Sequence, residues 1–267
     1  MELNKKLDRL FENNASVVVK KGYKQFFVNL YYLFKTSLFI IREDWLWYLL
    51  MICIRPLSIM IFLGFYFQDS SNDIILFIIT GNMVMSIVTG TMLTLGQNLG
   101  MLKQYKAFDY YATLPVSKIA LIIALVTRTT ILVLPSMLTI FLIGNFYFGL
   151  EMTFHPLILL IIFISGYSLS GIGAIIGIYS RNMQTASLIT QIVQPIVVFM
   201  APVMIPENYL PRILKYTSHL MPTTYVARVL RGAVVGQIAY FDLVIILIVS
   251  VISIYLVGVK LDWRVEN

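Results

Sequence analysis

Residues 157–179 read LILLIIFISGYSLSGIGAIIGIY, a stretch with no charged residue. As an α-helix at about 1.5 Å per residue it matches the ~30 Å hydrocarbon core of a bilayer. Backbone in lipid must satisfy its own hydrogen bonds, so a helix is expected rather than an open strand. Five further apolar runs flank it: Trp45–Phe67, Ile74–Leu95, Ile119–Ile143, Ala186–Met204 and Leu243–Val259. The patterning therefore predicts an all-α integral membrane protein with six transmembrane helices.

Composition agrees: 59% of the 267 residues are hydrophobic and 12% charged, against the roughly 25% charge of an ordinary soluble domain. The expected organisation is one transmembrane domain over 1–267, with a cytoplasmic and interfacial segment 1–44, a loop 96–118 and a segment 205–242. None of these polar stretches has the ~100 residues of a typical soluble domain. No G-x-x-x-x-G-K-[ST] phosphate loop is present, so ATP, if used, must bind another polypeptide. The single Cys53 rules out an intrachain disulfide, and no metal or catalytic set is expected. The net charge of +7 suits membrane orientation and anionic headgroups, and no nucleic-acid partner is expected.

The basic residues set the orientation. With the N-terminus inside, Lys5, Lys6, Arg9, Lys20, Lys21, Lys24, Lys35 and Arg42 are cytoplasmic, as are Lys103, Lys106, Lys118, Arg181, Lys260 and Arg264. The C-terminus is then cytoplasmic too. Only 205–242 breaks the positive-inside rule, placing Arg212, Lys215, Arg228 and Arg231 outside. Three prolines divide that segment into two amphipathic pieces. It is expected to form an outer re-entrant helical hairpin between spans five and six, its arginines snorkelling to the headgroups, with a surface cap as the alternative. Before the first span, Tyr23–Arg42 is expected as an N-terminal interfacial helix, with Phe27, Leu30, Phe34, Leu38 and Ile41 opposite Lys24, Lys35 and Arg42.

In the 96–118 loop, Leu102, Tyr105, Phe108 and Ala112 are spaced for one face of a short helix. It can rest on lipid or press into a partner's groove. Inside the spans, Arg55 and Arg128 are too costly to face lipid, at about 2.5–3.5 kcal/mol each on insertion scales. Each either binds freed carbonyls or handles substrate. Asn82 and Ser86 share a face of the second span, and Gln191 and Gln194 lie on the fifth. They can meet substrate or bond helix to helix. The small residues Gly166, Ser170 and Ala174, and Gly173 with Gly177, mark close packing of the fourth span.

Two stretches carry a family resemblance. One is Asp109 through Leu114-Pro115-Val116-Ser117 before the third span. The other is the ordered series Pro195, Phe199, Pro206, Leu210-Pro211, Pro222, Tyr225 and Arg231-Gly232. With the topology, the chain resembles the permease subunits of ABC-2-type exporters, the type V or ABCG-like fold, and within them the daunorubicin-resistance-like multidrug branch. It departs from the pattern at Met200-Ala201-Pro202, at Met221 and at Lys106-Ala107-Phe108.

The resemblance implies a bacterial plasma-membrane subunit of an ATP-driven exporter, moving a drug, lipid, peptide or glycan-type substrate. It implies a homodimer served by two copies of a separate cytoplasmic ATPase, which would bind the ATP and Mg; no cofactor is expected on this chain. Leu102, Tyr105, Phe108, Asp109 and Tyr111 would then couple to the ATPase, and Asn82, Gln191, Gln194 and Phe199 would lie along the substrate pathway. A secondary transporter is the rival, set back by the lack of an acidic residue within the spans and of an evident repeat. An intramembrane enzyme is the second. Ser168 and Ser170 fit neither G-x-S-G nor G-x-S-x-G, and His155 and His219 fall in outer segments.

Overall fold

The computed structural model describes residues 23–42, 45–66, 71–114, 116–153 and 155–261. The basic N-terminal tract before Tyr23, Asp69, Pro115 and Arg264 lie outside the described residues, as does the side chain of Arg55. Helix and turn account for the regular structure, with no strand among the described residues.

Helix α1 (Tyr23–Arg42) precedes α2 (Trp45–Tyr66), and α3 runs from Asn72 to Gln104. A seven-residue helix α4 (Ala107–Thr113) leads into α5 (Lys118–Phe146), α6 (Leu157–Tyr179) and α7 (Met183–Phe199). Short α8 (Arg212–Ser218) and α9 (Pro222–Val235) come before the final α10 (Tyr240–Lys260). Five helices, α2, α3, α5, α6 and α10, are long and apolar enough to cross a bilayer. The chain is thus an all-α, multi-pass membrane protein. The run expected over 186–204 is shorter: α7 has 17 residues and ends at Phe199. Proline has no N–H and disfavours helical backbone in the residue before it, so Ala201-Pro202 halts the helix.

Helix α6 sits at the centre, packed on α3, α5, α9 and α10. Its contact with α3 is backbone on backbone. A Cβ on Gly173 would collide with the Met92 carbonyl, and one on Gly177 would meet Gly96 O at 2.7 Å. The small-residue pattern is thus a packing device here, as close helix approach in lipid requires.

One end of the bundle carries Lys103, Lys118 and Lys260. There a buried cluster joins Leu95, Leu99, Phe108, Leu121, Ala174 and Val257. Lys103 Nζ donates to Ile178 O at 3.1 Å, and Met183 N donates to Gln104 Oε1 at 3.2 Å. These bonds tie the ends of α3, α6 and α7 together. At the opposite end a larger cluster gathers Ile79, Met83, Val133, Ile161, Val229 and Leu230. Helix α9 buries its apolar face there, against α6, α10 and α3. That corrects the expectation that both hairpin pieces turn their apolar faces to lipid, since α9 has a protein core to cover it. It ends at Gly236, whose φ of 80° suits only glycine comfortably, with Gln237 N donating to Gly232 O at 2.7 Å. Helix α8 behaves differently, leaving Ile213 and Tyr216, and Leu220 just after it, more than three-quarters exposed.

Helix α1 forms over the expected residues. It packs along α5, with Leu33 against the buried cluster at the lysine end. Phe27, Tyr31, Tyr32 and Phe39 stay exposed on it.

Candidate functional site

The most informative element is α3. Between Val88 and Leu93 its turns widen to a π-helix, and Thr94 Oγ1 donates five residues back to Thr89 O at 3.2 Å. The insertion advances the helix face, so Asn82, Ser86, Thr89, Thr94 and Gln97 all line one cavity. Its volume is about 330 Å³. Helix α2 supplies Tyr48, Met51, Ile52, Pro56 and Ile59 to the opposite wall, and α5 supplies Leu132, Val133 and Ser136. The cavity is an apolar slot with one polar strip.

That strip continues into α7. Gln194 Nε2 donates to Thr89 Oγ1 at 2.8 Å, and Gln97 Nε2 donates to Ser187 Oγ at 2.9 Å. Ser187 Oγ also accepts from Gln191 Nε2 at 2.8 Å. Asn82 Nδ2 reaches the other way, to Pro56 O in α2 at 3.3 Å. Of the residues expected on a pathway, Asn82 lines the cavity, Gln194 is buried beside it, and exposed Gln191 joins through Ser187. Phe199, more than half exposed at the end of α7, is not among the cavity-lining residues. Sequence reasoning missed Tyr48, Thr89, Thr94 and Gln97. The spacing 82, 86, 89, 94, 97 fits a polar face only once a π-turn is admitted, and ordinary helical periodicity does not flag it.

Arg128 stands one turn before Leu132 on α5. Its Nε is buried and has no hydrogen-bond partner among the described residues. Its charge is felt by Tyr111 of α4. For Tyr111, burial raises the phenol pKa, the neighbouring Tyr110 adds to that, and Arg128 pulls the other way.

Around α4, Lys106 takes a left-handed turn at φ 52°, which sharply separates this helix from α3. Tyr105, Lys106, Asp109 and Tyr110 are exposed, while Leu102 and Tyr111 are half-buried against the core. Phe108 is 3% exposed. The expectation that Phe108 enters a partner's groove is therefore corrected: its ring fills the chain's own core between α3 and α5.

Arg231 corrects a second expectation. Instead of snorkelling to headgroups it turns inward, with Nε donating to Thr80 Oγ1 at 3.1 Å and Nη1 to Pro202 O at 3.0 Å. Its Nη2 donates to Val203 O, and the guanidinium lies 3.4 Å from the Phe77 ring centroid. Burial first, and then the charge of Arg228, lower its pKa to about 10, so it stays protonated at neutral pH. Arg228 does face outward, in an ion pair with Glu207 at 3.1 Å. Lys215 lies 3.7 Å from the same carboxylate.

A protein-family model described as ABC-2 type transporter matches residues 28–235. The chain belongs to the ABC-2 type transporter family. A search of curated proteins gives no match. The family's membrane domain is a transport permease and not an enzyme, a component of an ABC transporter that generally pairs with a separate ATPase subunit. The match begins within α1 and ends at the last residue of α9, so it takes in the π-turn, α4 and the Arg231 clamp.

Proposed function

We propose that this chain is the membrane half of an ATP-driven exporter of the daunorubicin-resistance-like multidrug branch, working as a homodimer with two copies of a cytoplasmic ATPase. The observation that carries the ATP-driven transport reading is the family match over 28–235. A chain without a phosphate loop needs its nucleotide, ATP with Mg, on a partner. Supporting it, α4 offers an exposed Asp109 and Tyr110, and the turn before it an exposed Tyr105, while Phe108 and Tyr111 root α4 in the ends of the long helices. A push on such a rooted helix moves α3 and α5 as a unit.

In this reading α7 serves as the fifth of six spans, with the turns after Phe199 completing the crossing. The termini are cytoplasmic in a bacterial plasma membrane, and the 205–242 hairpin is external. The exposed apolar residues of α8 enter the headgroup layer, whereas α9 is held within the protein. The α2–α3–α5 cavity, with its polar strip of Asn82, Thr89 and Gln97, is the route's substrate-facing wall. Drug, lipid, peptide and glycan-type cargoes are the candidates. The test is co-expression of the full chain with the ATPase that co-purifies with it, followed by ATP-dependent transport in inverted vesicles. Accumulation that needs both chains and ATP supports an exporter. Transport driven by a proton gradient without the ATPase contradicts it and favours a secondary transporter.

A further inference from the structure

We infer that the Tyr48–Gln97 end of the cavity, with Arg128 beside it, binds the acidic headgroup of an amphiphile. The fold contains a direct comparison. Arg231 is given two backbone carbonyls, a threonine hydroxyl and an aromatic face. Arg128 also lies well within a helix but has a buried Nε with no acceptor, and no carboxylate pairs with it among the described residues. Leaving a buried donor unmet costs about 1–3 kcal/mol, and among the described residues nothing gives Arg128 the acceptors that Arg231 receives from Pro202 and Val203.

The position of Arg128 says what an acceptor there is attached to. Residues 128, 132 and 136 recur every four along α5, and Leu132 and Ser136 both line the cavity, so Arg128 extends that wall. Tyr48 of α2 lines the same cavity. Beyond it the walls are Met51, Ile52, Ile59 and Val133, suited to an alkyl or ring body. A guanidinium recognises carboxylate or phosphate through two parallel hydrogen bonds. The cavity thus fits an apolar body with an acidic head, whether that is an anionic lipid of the bilayer or an acidic cargo. The inference deepens the proposal that this cavity faces the transported substrate.

The test uses the full chain in phosphatidylcholine nanodiscs, with two photoreactive dodecyl probes of equal length, one a phosphate and one a zwitterionic phosphocholine. Peptide mapping follows labelling at Tyr48–Ile59 and Thr89–Gln97. The phosphate probe is expected to label these peptides about tenfold more strongly, the factor a charge-assisted bond of ordinary strength supplies. Arg128→Gln removes that preference, and Arg128→Lys keeps a reduced one. Equal labelling of the unaltered protein by both probes overturns the inference whatever the variants do, as does a preference that survives Arg128→Gln in a monodisperse, helical preparation. Adding phosphatidylglycerol separates the sources. Competition that Arg128→Gln abolishes assigns the site to bilayer lipid, and its absence assigns it to cargo; both uphold an acidic-headgroup site. Because neither ATP nor a partner is present, failure here leaves the exporter proposal standing, and failure of ATP-dependent transport leaves this result intact.

Discussion

Gln194 of α7 donates to Thr89 Oγ1 across 2.8 Å at the π-turn of α3, making the cavity's polar strip also the seam between two helices. Removing one partner takes a hydrogen bond from the other, most costly for the buried Gln194 amide, whereas removing both restores an apolar match. Gln194→Leu and Thr89→Val are each expected to lower thermal stability, with the double variant less destabilised than their sum. The coupling should be about 0.6 kcal/mol, with ~1.7 as the ceiling seen for such bonds in membranes. Unfolding of the four proteins in detergent measures it, and strict additivity would remove the bond's role.

The Arg231 clamp holds α9 to Thr80 and to the turn after α7. Arg231→Met leaves two carbonyls and a hydroxyl without their donor and should cost more than ~2 kcal/mol, since each hydrogen bond to a charged group is worth about 1.5–3. Arg228→Gln, at a partly exposed ion pair, should cost less than about 1 kcal/mol. Equal losses in unfolding experiments would mean that Arg231 is no clamp.

Close approach of α3 and α6 depends on Gly173. Gly173→Ala thrusts a methyl into the Met92 carbonyl and is expected to block assembly of the folded chain. Gly149 is the contrast, with open space around it but a φ of 63°. Gly149→Ala should cost only the ~1–2 kcal/mol of left-handed backbone. Expression and monodispersity of the two variants check the difference, and a well-folded Gly173→Ala protein would show that α3 and α6 do not meet there.

Much of this was legible in the sequence, and the misses have physical causes. Tyr23–Arg42 and Leu157–Tyr179 appear over the residues their patterning indicated, because amphipathic and uniformly apolar periods are long-window signals. The π-turn was not legible, since one inserted residue shifts a polar face without altering composition. Arg231 was misread for a different reason. A basic residue outside the membrane ordinarily seeks headgroups, and only the fold reveals the carbonyls of Pro202 and Val203 waiting for it. Phe108 likewise belonged to a face shared with exposed Tyr105, and the left-handed Lys106 between them turned the two rings apart.

That turn yields a fourth expectation. Phe108→Ala removes a core ring and should destabilise the chain by about 3–5 kcal/mol. Tyr105→Ala and Tyr110→Ala should leave stability nearly unchanged yet weaken retention of the ATPase, because exposed aromatics act as interface anchors. Thermal unfolding alongside co-purification separates the two effects. A stable Phe108→Ala protein that loses the ATPase would return Phe108 to the contact surface.

The central claim is that α4 is where a cytoplasmic ATPase grips an exporter permease. A photo-crosslinking amino acid at position 105 in the full chain, activated in native membranes and read by peptide mass spectrometry, tests it most directly. The expected product joins the turn leading into α4 to an ABC ATPase carrying its own phosphate loop, and it diminishes when Tyr110 is also replaced by Ala. Crosslinks to lipid alone, or reaction of a cysteine at position 106 with an impermeant thiol reagent outside intact cells, would contradict the account.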